Sequence, residues 1–381
     1  MPFGRSCGAR LKTAIFHANA GFGHRKIAEI IHREFLERGF ADSDVICEDA
    51  LDSTPPIFRS AYPAVYYYSV KYAPNSWGAT YELLDQPRWC RAVHPLRSAA
   101  NRFFAGALLK RMEALQPDLM IFTHFLSAEL FSRAKREGRI RSKLVTVITD
   151  FYPHAYWVNP GTDLYWVMSK EGKEDLAARG VPESAVRDGG IPVGRDFLPQ
   201  GRRKETLEKW HFESGRFTIL LTSGSFGLGP TAGILQELET FKDRIQVFVV
   251  CGNNKAAEAE LKAKKFSFPC QIFGFVGFMP DLMEASDLMI AKSGGSTTCE
   301  SLTKGLPMVV LKPIPGQETR NARLLKMRNA SFFMDQPSEI KPILNAIFRH
   351  PEILAERKEA IRELARPHAA QDLVTEALRG L

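Results

Sequence analysis

Three short stretches of this 381-residue chain hold residue types that can do chemistry together. The first is Gly21-Phe22-Gly23-His24. Glycines that end a strand and open a helix leave backbone N–H groups unpaired, and the helix dipole adds partial positive charge there. Such a turn favours an anion and disfavours an imidazolium. His24, at the first position of the expected helix, is then a neutral imidazole able to take a proton near neutral pH, which is what a general base needs. A lone histidine is more often a cap or loop residue; the glycine context tips His24 towards the functional reading.

The second stretch is Lys292-Ser293-Gly294-Gly295-Ser296-Thr297-Thr298, placed directly after an apolar strand, with Glu300 just inside the helix that follows. Small residues let a diphosphate approach the helix start, and an acid near that start can accept from two vicinal ribose hydroxyls. The third, Ser223-Gly224-Ser225-Phe226-Gly227, is a glycine-serine loop able to fold over the same phosphates. Two such loops at the carboxyl ends of different strands in one α/β unit point to a nucleotide diphosphate. A Walker-type NTPase is excluded, since no GxxxxGK[ST] occurs, and a dinucleotide fingerprint fails because Lys26 holds the slot of its third glycine. Asp42-Ser43-Asp44 resembles a metal-binding DxD but precedes a strand and reads as a turn; no other metal-ligand spacing is found. Asp150, with His154 beyond it, follows a strand and is a candidate to line the ligand site.

These loops need strands and helices to hold them. Leu11–Ala18 reads as a buried strand, and a helix from about His24 to Arg38 sets Ile27, Ile30, Ile31 and Phe35 on one apolar face before Gly39 stops it. Further strands are expected at 45–47, 119–123, 144–149 and 164–168, then again at 217–222, 245–251, 271–273, 287–291 and 308–311, with helices between them and three more at 338–349, 352–365 and 372–379. Alternating strands and amphipathic helices predict parallel sheets covered on both faces. The expected organisation is an N-terminal Rossmann-like domain over 1–198, a linker over 199–216, a C-terminal Rossmann-like domain over 217–350, and C-terminal helices over 351–381.

One segment of the first unit, 53–107, breaks the rhythm. Tyr62, Tyr66, Tyr67, Tyr68, Tyr72, Trp77, Tyr81, Trp89, Phe103 and Phe104 are interleaved with Arg59, Lys71, Arg88, Arg91, Arg97 and Arg102. Insertions of this size are usually functional. Aromatic rings with basic residues suit an anionic membrane interface; stacking of single-stranded nucleic acid and simple helix core are the competing readings. The net charge of +8 is shared by both halves of the chain, so it does not select a partner. The run Arg133–Lys143, six basic residues with one Glu, reads as a solvated helix face and loop, with a lipid-facing patch as the alternative. Six scattered cysteines without a CxxC pair suit a reducing compartment. The absence of a signal segment or membrane-length apolar run leads to the expectation of a soluble or peripheral intracellular protein, and the membrane reading of 53–107 narrows it to a cytoplasmic protein, peripheral on the inner face of the cell membrane.

In combination, the motifs resemble a known family. Gly21-Phe22-Gly23-His24, the segment Val147–His154 (VITDFYPH) with Trp157, the turn Gly190-Ile191-Pro192-Val193 and the stretch Lys292–Asn321 are similar to those of the glycosyltransferases that make monogalactosyl- and glucosyl-diacylglycerol, and more distantly to the transferase that adds N-acetylglucosamine to lipid-linked peptidoglycan precursors. The likeness runs from about Lys12 to Phe333. It implies a GT-B fold, two Rossmann-like doubly wound domains facing across a cleft. It implies an inverting transfer of a hexose, glucose or galactose, from a UDP-sugar to the hydroxyl of diacylglycerol at the membrane surface, with no metal, no cofactor and no nucleic-acid partner. By position, His24 matches the catalytic base, Ser293–Thr297 (Ser293, Gly294, Gly295, Ser296, Thr297) the diphosphate loop and Glu300 the acid on the uridine ribose. Gln317, Glu318 and Asn321 match the Q-E-x-x-N that reaches the sugar and phosphate. Gly23, Ser223, Gly224 and Ser225 complete the UDP-sugar candidates, though SGSFGLG departs from the usual glycine-rich form, and Asp150, His154 and Trp157 are candidates on the acceptor side. The alternatives are a UDP-N-acetylglucosamine transferase with a polyprenyl-linked acceptor, or a nucleotide-sugar-binding protein without turnover.

Overall fold

The computed structural model describes residues 11–19, 22–222, 224, 227 and 229–381. The chain divides into two compact units, one formed by Met1–Pro192 with His368–Leu381, the other by Val193–Pro367.

The first unit runs β1 (Thr13–His17), α1 (Phe22–Glu37), β2 (Val45–Asp49), α2 (Pro56–Tyr72), α3 (Pro74–Asp85), α4 (Pro87–Phe104), α5 (Gly106–Leu115), β3 (Leu119–Phe122), α6 (Phe125–Arg136), β4 (Lys143–Val147), β5 (Leu164–Trp166), α7 (Lys170–Ala178) and β6 (Val186–Arg187). Its strands form one sheet in the order β2-β1-β3-β4-β5-β6, and every pairing is parallel. β1 and β3 are buried at every position, as strands covered on both faces must be. Phe16, Phe122 and Phe131 stack against one another beneath one helical layer, with centroids 5.3–6.1 Å apart. Ile27, Ile31 and Phe35 supply the apolar face of α1.

The aromatic-basic insertion is helical. A proline opens each of α2, α3 and α4, where a missing N–H costs nothing, and so breaks the segment into three helices instead of one. These helices are clamped to the rest of the unit by Asp85. Its carboxylate accepts from Ala155 N (2.6 Å) and receives the Arg179 guanidinium bidentately at 2.8 and 3.0 Å.

The second unit runs α8 (Arg203–Lys209), β7 (Phe217–Thr222), α9 (Thr231–Leu238), β8 (Ile245–Val250), α10 (Lys255–Lys262), β9 (Cys270–Phe273), α11 (Met279–Ala285), β10 (Leu288–Ala291), α12 (Gly295–Lys304), β11 (Met308–Leu311), α13 (Gln317–Met327), β12 (Ser331–Met334), α14 (Ile340–Arg349) and α15 (Glu352–Leu364). Its six parallel strands take the order β12-β11-β10-β7-β8-β9, the doubly wound Rossmann arrangement. Ile219, Val247, Ile290 and Val309 centre its core.

Two stretches differ from the expected boundaries. Within 199–216 lies α8, whose Leu207 is buried and whose Arg203 donates to the carbonyl of Ala285 at 2.7 Å, so the stretch packs into the second unit instead of hanging between domains. The final helices part: α15 stays with the second unit, while α16 (Ala369–Leu378) belongs to the first. Leu373, Val374 and Ala377 give α16 a fully buried face, and Arg38 donates to the carbonyl of Gln371 at 2.5 Å. Two edge strands, β6 and β12, were not expected.

Candidate active site

In a doubly wound sheet, ligands bind beyond the carboxyl ends of the strands where the strand order reverses. In the first sheet that point lies between β1 and β3. The segment leaving β1 leads into α1 and His24; the one leaving β3 begins Thr123-His124. His24 is the third residue of α1, which starts two residues before the sequence expectation. Its Nδ1 lies 2.6 Å from the Thr123 carbonyl oxygen and 3.1 Å from Thr149 Oγ1, and Thr123 Oγ1 donates back to the His24 carbonyl at 2.9 Å. A carbonyl oxygen only accepts, so Nδ1 carries the ring proton and Nε2 keeps its lone pair. Burial pushes the imidazole down to about 4, against a raising pull from the Thr123 hydrogen bond. The ring is therefore neutral at pH 7.

Two further histidines stand beside it, and the sequence reading did not single them out. His124 meets His24 edge to face, 4.8 Å between centroids, and its Nδ1 accepts from Leu126 N, capping α6. His17 ends β1 with Nδ1 buried and unpartnered. Burial lowers both below the ordinary histidine value. A histidine directly after a strand, as in Phe122-Thr123-His124, was the available signal.

Among the acceptor-side candidates, Trp157 is fully buried and walls the group, 6.4 Å from His24 and 6.5 Å from His124. His154 is a different case. Its Nδ1 accepts from Tyr156 N at 3.1 Å and its Nε2 donates to the Tyr81 carbonyl at 3.0 Å, so both nitrogens are spent on fixing α3 to the loop after β4. Asp150 is half-buried at the start of that loop.

In the second sheet the order reverses between β7 and β10, and the two phosphate-loop candidates follow those two strands. Gly294 caps α12 with no side-chain cap behind it and open space where a Cβ would stand. The N–H groups of Gly295, Ser296 and Thr297 open the helix, with no acid in its first turn. Ser296 Oγ donates to Glu300 Oε1 at 2.6 Å, which orients the buried carboxylate. Ser293 is buried; its hydroxyl donates to the Glu318 carbonyl (2.9 Å) and its own carbonyl accepts from Asn321 Nδ2 (2.8 Å). These two residues tie α13 to the loop, so Ser293 shapes the loop through its backbone instead of presenting a hydroxyl. Gly316, at φ 104°, supplies the left-handed turn that starts α13 with Gln317 and Glu318. Glu318 accepts from Ile314 N at 2.9 Å; burial raises its pKa, opposed by that bond and by the Lys292 ammonium.

In the loop after β7, Gly227 (φ 60°) lies so close to the Cys251 carbonyl and Asn254 that a Cβ would fall within 2.5 Å of both. Gly224 N donates to Thr222 Oγ1 at 3.4 Å. Ser223 and Ser225 lie outside the described residues. Gly23 is the second residue of α1, in the first unit with His24.

Residues 24–193 match the family described as monogalactosyldiacylglycerol (MGDG) synthase, and residues 218–373 match the glycosyltransferase family 28 C-terminal domain. Each half of the chain thus resembles a part of a glycosyltransferase. Similar proteins include a processive diacylglycerol beta-glucosyltransferase of Staphylococcus epidermidis, 28% identical with 90% of this chain and 86% of that one aligned. The enzyme of the same name from Bacillus licheniformis is 27% identical over 96% and 94%. Among solved structures, MurG of Acinetobacter baumannii superposes with a TM-score of 0.62 at 15% identity, covering 97% of this chain and 99% of its own. HepE of Anabaena in complex with UDP gives 0.59 at 12%, covering 97% and 100%. The fold is GT-B.

Proposed function

We propose that this chain is an inverting glycosyltransferase that moves a hexose from a UDP-sugar to the hydroxyl of diacylglycerol, making a glycolipid. The observation that carries the mechanism is the His24 imidazole, neutral, with its proton fixed on Nδ1 by a carbonyl and its Nε2 lone pair left to act. The acceptor oxygen attacks the anomeric carbon, its proton passes to His24 Nε2, and the bond from that carbon to the diphosphate oxygen breaks, releasing UDP. The leaving diphosphate gains charge as the bond breaks, so N–H groups at the start of α12 stabilise the transition state more than the bound donor. Glu300 takes the ribose hydroxyls, and Gln317 and Glu318 the sugar. The relatives are named for a β-glucosyl product, which an α-linked sugar nucleotide yields by one displacement; this favours glucose over galactose.

The acceptor is a lipid, and the insertion is the surface that meets its membrane. Among the described residues, eight of the ten exposed large hydrophobic side chains fall in α2–α4, among them Ile57 at 84%, Leu96 at 76% and Phe103 at 79% exposed. Lys71 lies over the Tyr67 and Tyr72 rings and Arg88 over Trp89, placing cations beside aromatic rings as a headgroup layer requires. Other aromatics of the segment face inward, since Tyr62 on α2 packs against the core of the first unit and Tyr66 against Trp77. No helix among the described residues is long and apolar enough to cross a membrane. Cys47, Cys90, Cys251, Cys270 and Cys299 are all free, which fits a protein working at the inner, reducing face of the cell membrane.

The test is incubation with diacylglycerol vesicles and, separately, UDP-glucose, UDP-galactose and UDP-N-acetylglucosamine. Hexosyl-diacylglycerol by mass spectrometry with UDP-glucose is the expected product. Transfer from UDP-N-acetylglucosamine to a polyprenyl acceptor instead would replace this reading with the alternative.

A further inference from the structure

At the other end of the first sheet, away from His24, a cavity of about 820 Å³ opens at the amino-terminal ends of β3 and β4. Its size falls within the roughly 300–1,000 Å³ of ordinary ligand sites. Five cationic side chains line it, Lys135, Arg139, Arg141, Lys143 and Arg379, against two acids, Asp118 and Asp163. Four of the five come from the basic run 133–143, which the transfer reaction does not use.

The cations are held in place and keep donors to spare. Lys135 pairs with Asp163, whose carboxylate also accepts from Leu144 N at 2.7 Å. Arg139 pairs with Glu113 through Nε and with Glu137 through Nη1 at 3.5 Å, and Arg379 with Glu376 at 2.8 Å. Each guanidinium has five N–H groups in a planar fork, so the groups these carboxylates do not take stay available to an anion. Lys143 Nζ donates to the carbonyls of Arg379 (2.7 Å) and Glu376 (3.1 Å) at the end of α16, and the third ammonium proton remains. Arg141 is exposed on the rim. The lining joins the foot of the sheet to a segment that returns to this unit only after residues 193–367.

We propose that this cavity is a binding site for a phosphate-bearing anion, separate from the UDP-sugar loops, whose occupation fastens the C-terminal segment to the first sheet. The spacing of forked guanidiniums around polar walls selects a phosphate group, either that of a soluble phosphate ester or that of an anionic lipid headgroup. Burial lowers the Lys143 pKa, and an arriving anion favours its charged form, so binding draws on a cation already in place.

Hydrogen exchange of the full chain with and without inorganic pyrophosphate tests this, because it separates the cavity from the loop at 292–298. Slowed exchange at 138–143 and 379–381 is expected in the wild type and lost in Arg141→Glu and Arg139→Gln, with the pyrophosphate Kd raised about tenfold or more, the change of one lost charge-assisted contact. Arg141→Glu alters an exposed side chain, so an unchanged urea midpoint verifies its fold. Slowing confined to 292–298, or slowing at the cavity that both variants retain, overturns the proposal. Sedimentation with phosphatidylglycerol against phosphatidylcholine vesicles then separates the sources. A preference for phosphatidylglycerol that Arg141→Glu removes assigns a lipid headgroup, and no such preference beside intact pyrophosphate binding assigns a soluble ester.

Discussion

At His24 the tautomer is dictated by a neighbour with no proton to give. The Thr123 carbonyl requires N–H on Nδ1, and the hydroxyl of Thr149 completes the cradle. Replacing His24 with Ala should lower kcat by about the 10²–10⁴-fold of a lost general base while leaving UDP affinity unchanged, read by steady-state kinetics beside calorimetry. Because burial holds the ring near 4, kcat/KM should stay level from pH 7 down past the ordinary histidine value near 6.5, and fall only in more acidic solution. Half-loss at pH 6.5 would mean an imidazole freely solvated in the resting enzyme. In the second unit, Glu300→Gln keeps the bond from Ser296 but removes the charge, and should weaken UDP binding roughly tenfold or less, as expected of one charge-assisted hydrogen bond. His24 and the loop at 293–298 were legible in the sequence because glycines, small residues and a histidine sit within a few positions of one another. Thr123 and Thr149 were not, being 99 and 125 residues distant from His24 along the chain.

Among the elements, apolar strands such as β1, β7 and β8 declare themselves by unbroken burial. The edge strands β6 and β12 do not, because two or four residues with polar members carry no period. Helix α6 is buried almost all round, including Ser127, Glu129 and Ser132. Asn101 Nδ2 donates to the Glu129 carboxylate at 2.7 Å, supplying the partner such a buried acid needs. Packing of three histidines where α1, β1 and α6 meet has a consequence for stability. Each has its folded pKa lowered by burial, so between the ordinary histidine value and the depressed one the unfolded chain binds protons that the folded chain refuses. Stability contributed by the neutral forms is complete above about pH 6.5 and lost as the pH falls below it. The urea midpoint should therefore drop between pH 7 and pH 5, and drop less in His17→Gln.

For the whole molecule, the proposed function divides the labour between the two units: the first would carry His24 as base beside the exposed apolar helices, the second the donor loops. Each Rossmann sheet has its own reversal point, and His24 follows the first while the loop at 292–298 follows the second. Exchange of Leu96 and Phe103 for Ser removes exposed apolar surface without touching either reversal point. Binding to anionic vesicles in a flotation assay should fall several-fold while UDP affinity holds; unchanged flotation would return the insertion to a purely structural role. The route by which α16 returns to the first unit could not be read from the sequence, since an amphipathic helix at a chain's end does not name its partner.

The most direct trial of the account is a comparison of wild type and His24→Ala with UDP-glucose and diacylglycerol vesicles, following hexosyl-diacylglycerol by mass spectrometry and UDP binding by calorimetry in parallel. Product from the wild type, loss of about a hundredfold or more in the variant and equal UDP affinity are predicted. Equal rates of glycolipid formation by the two proteins would contradict it.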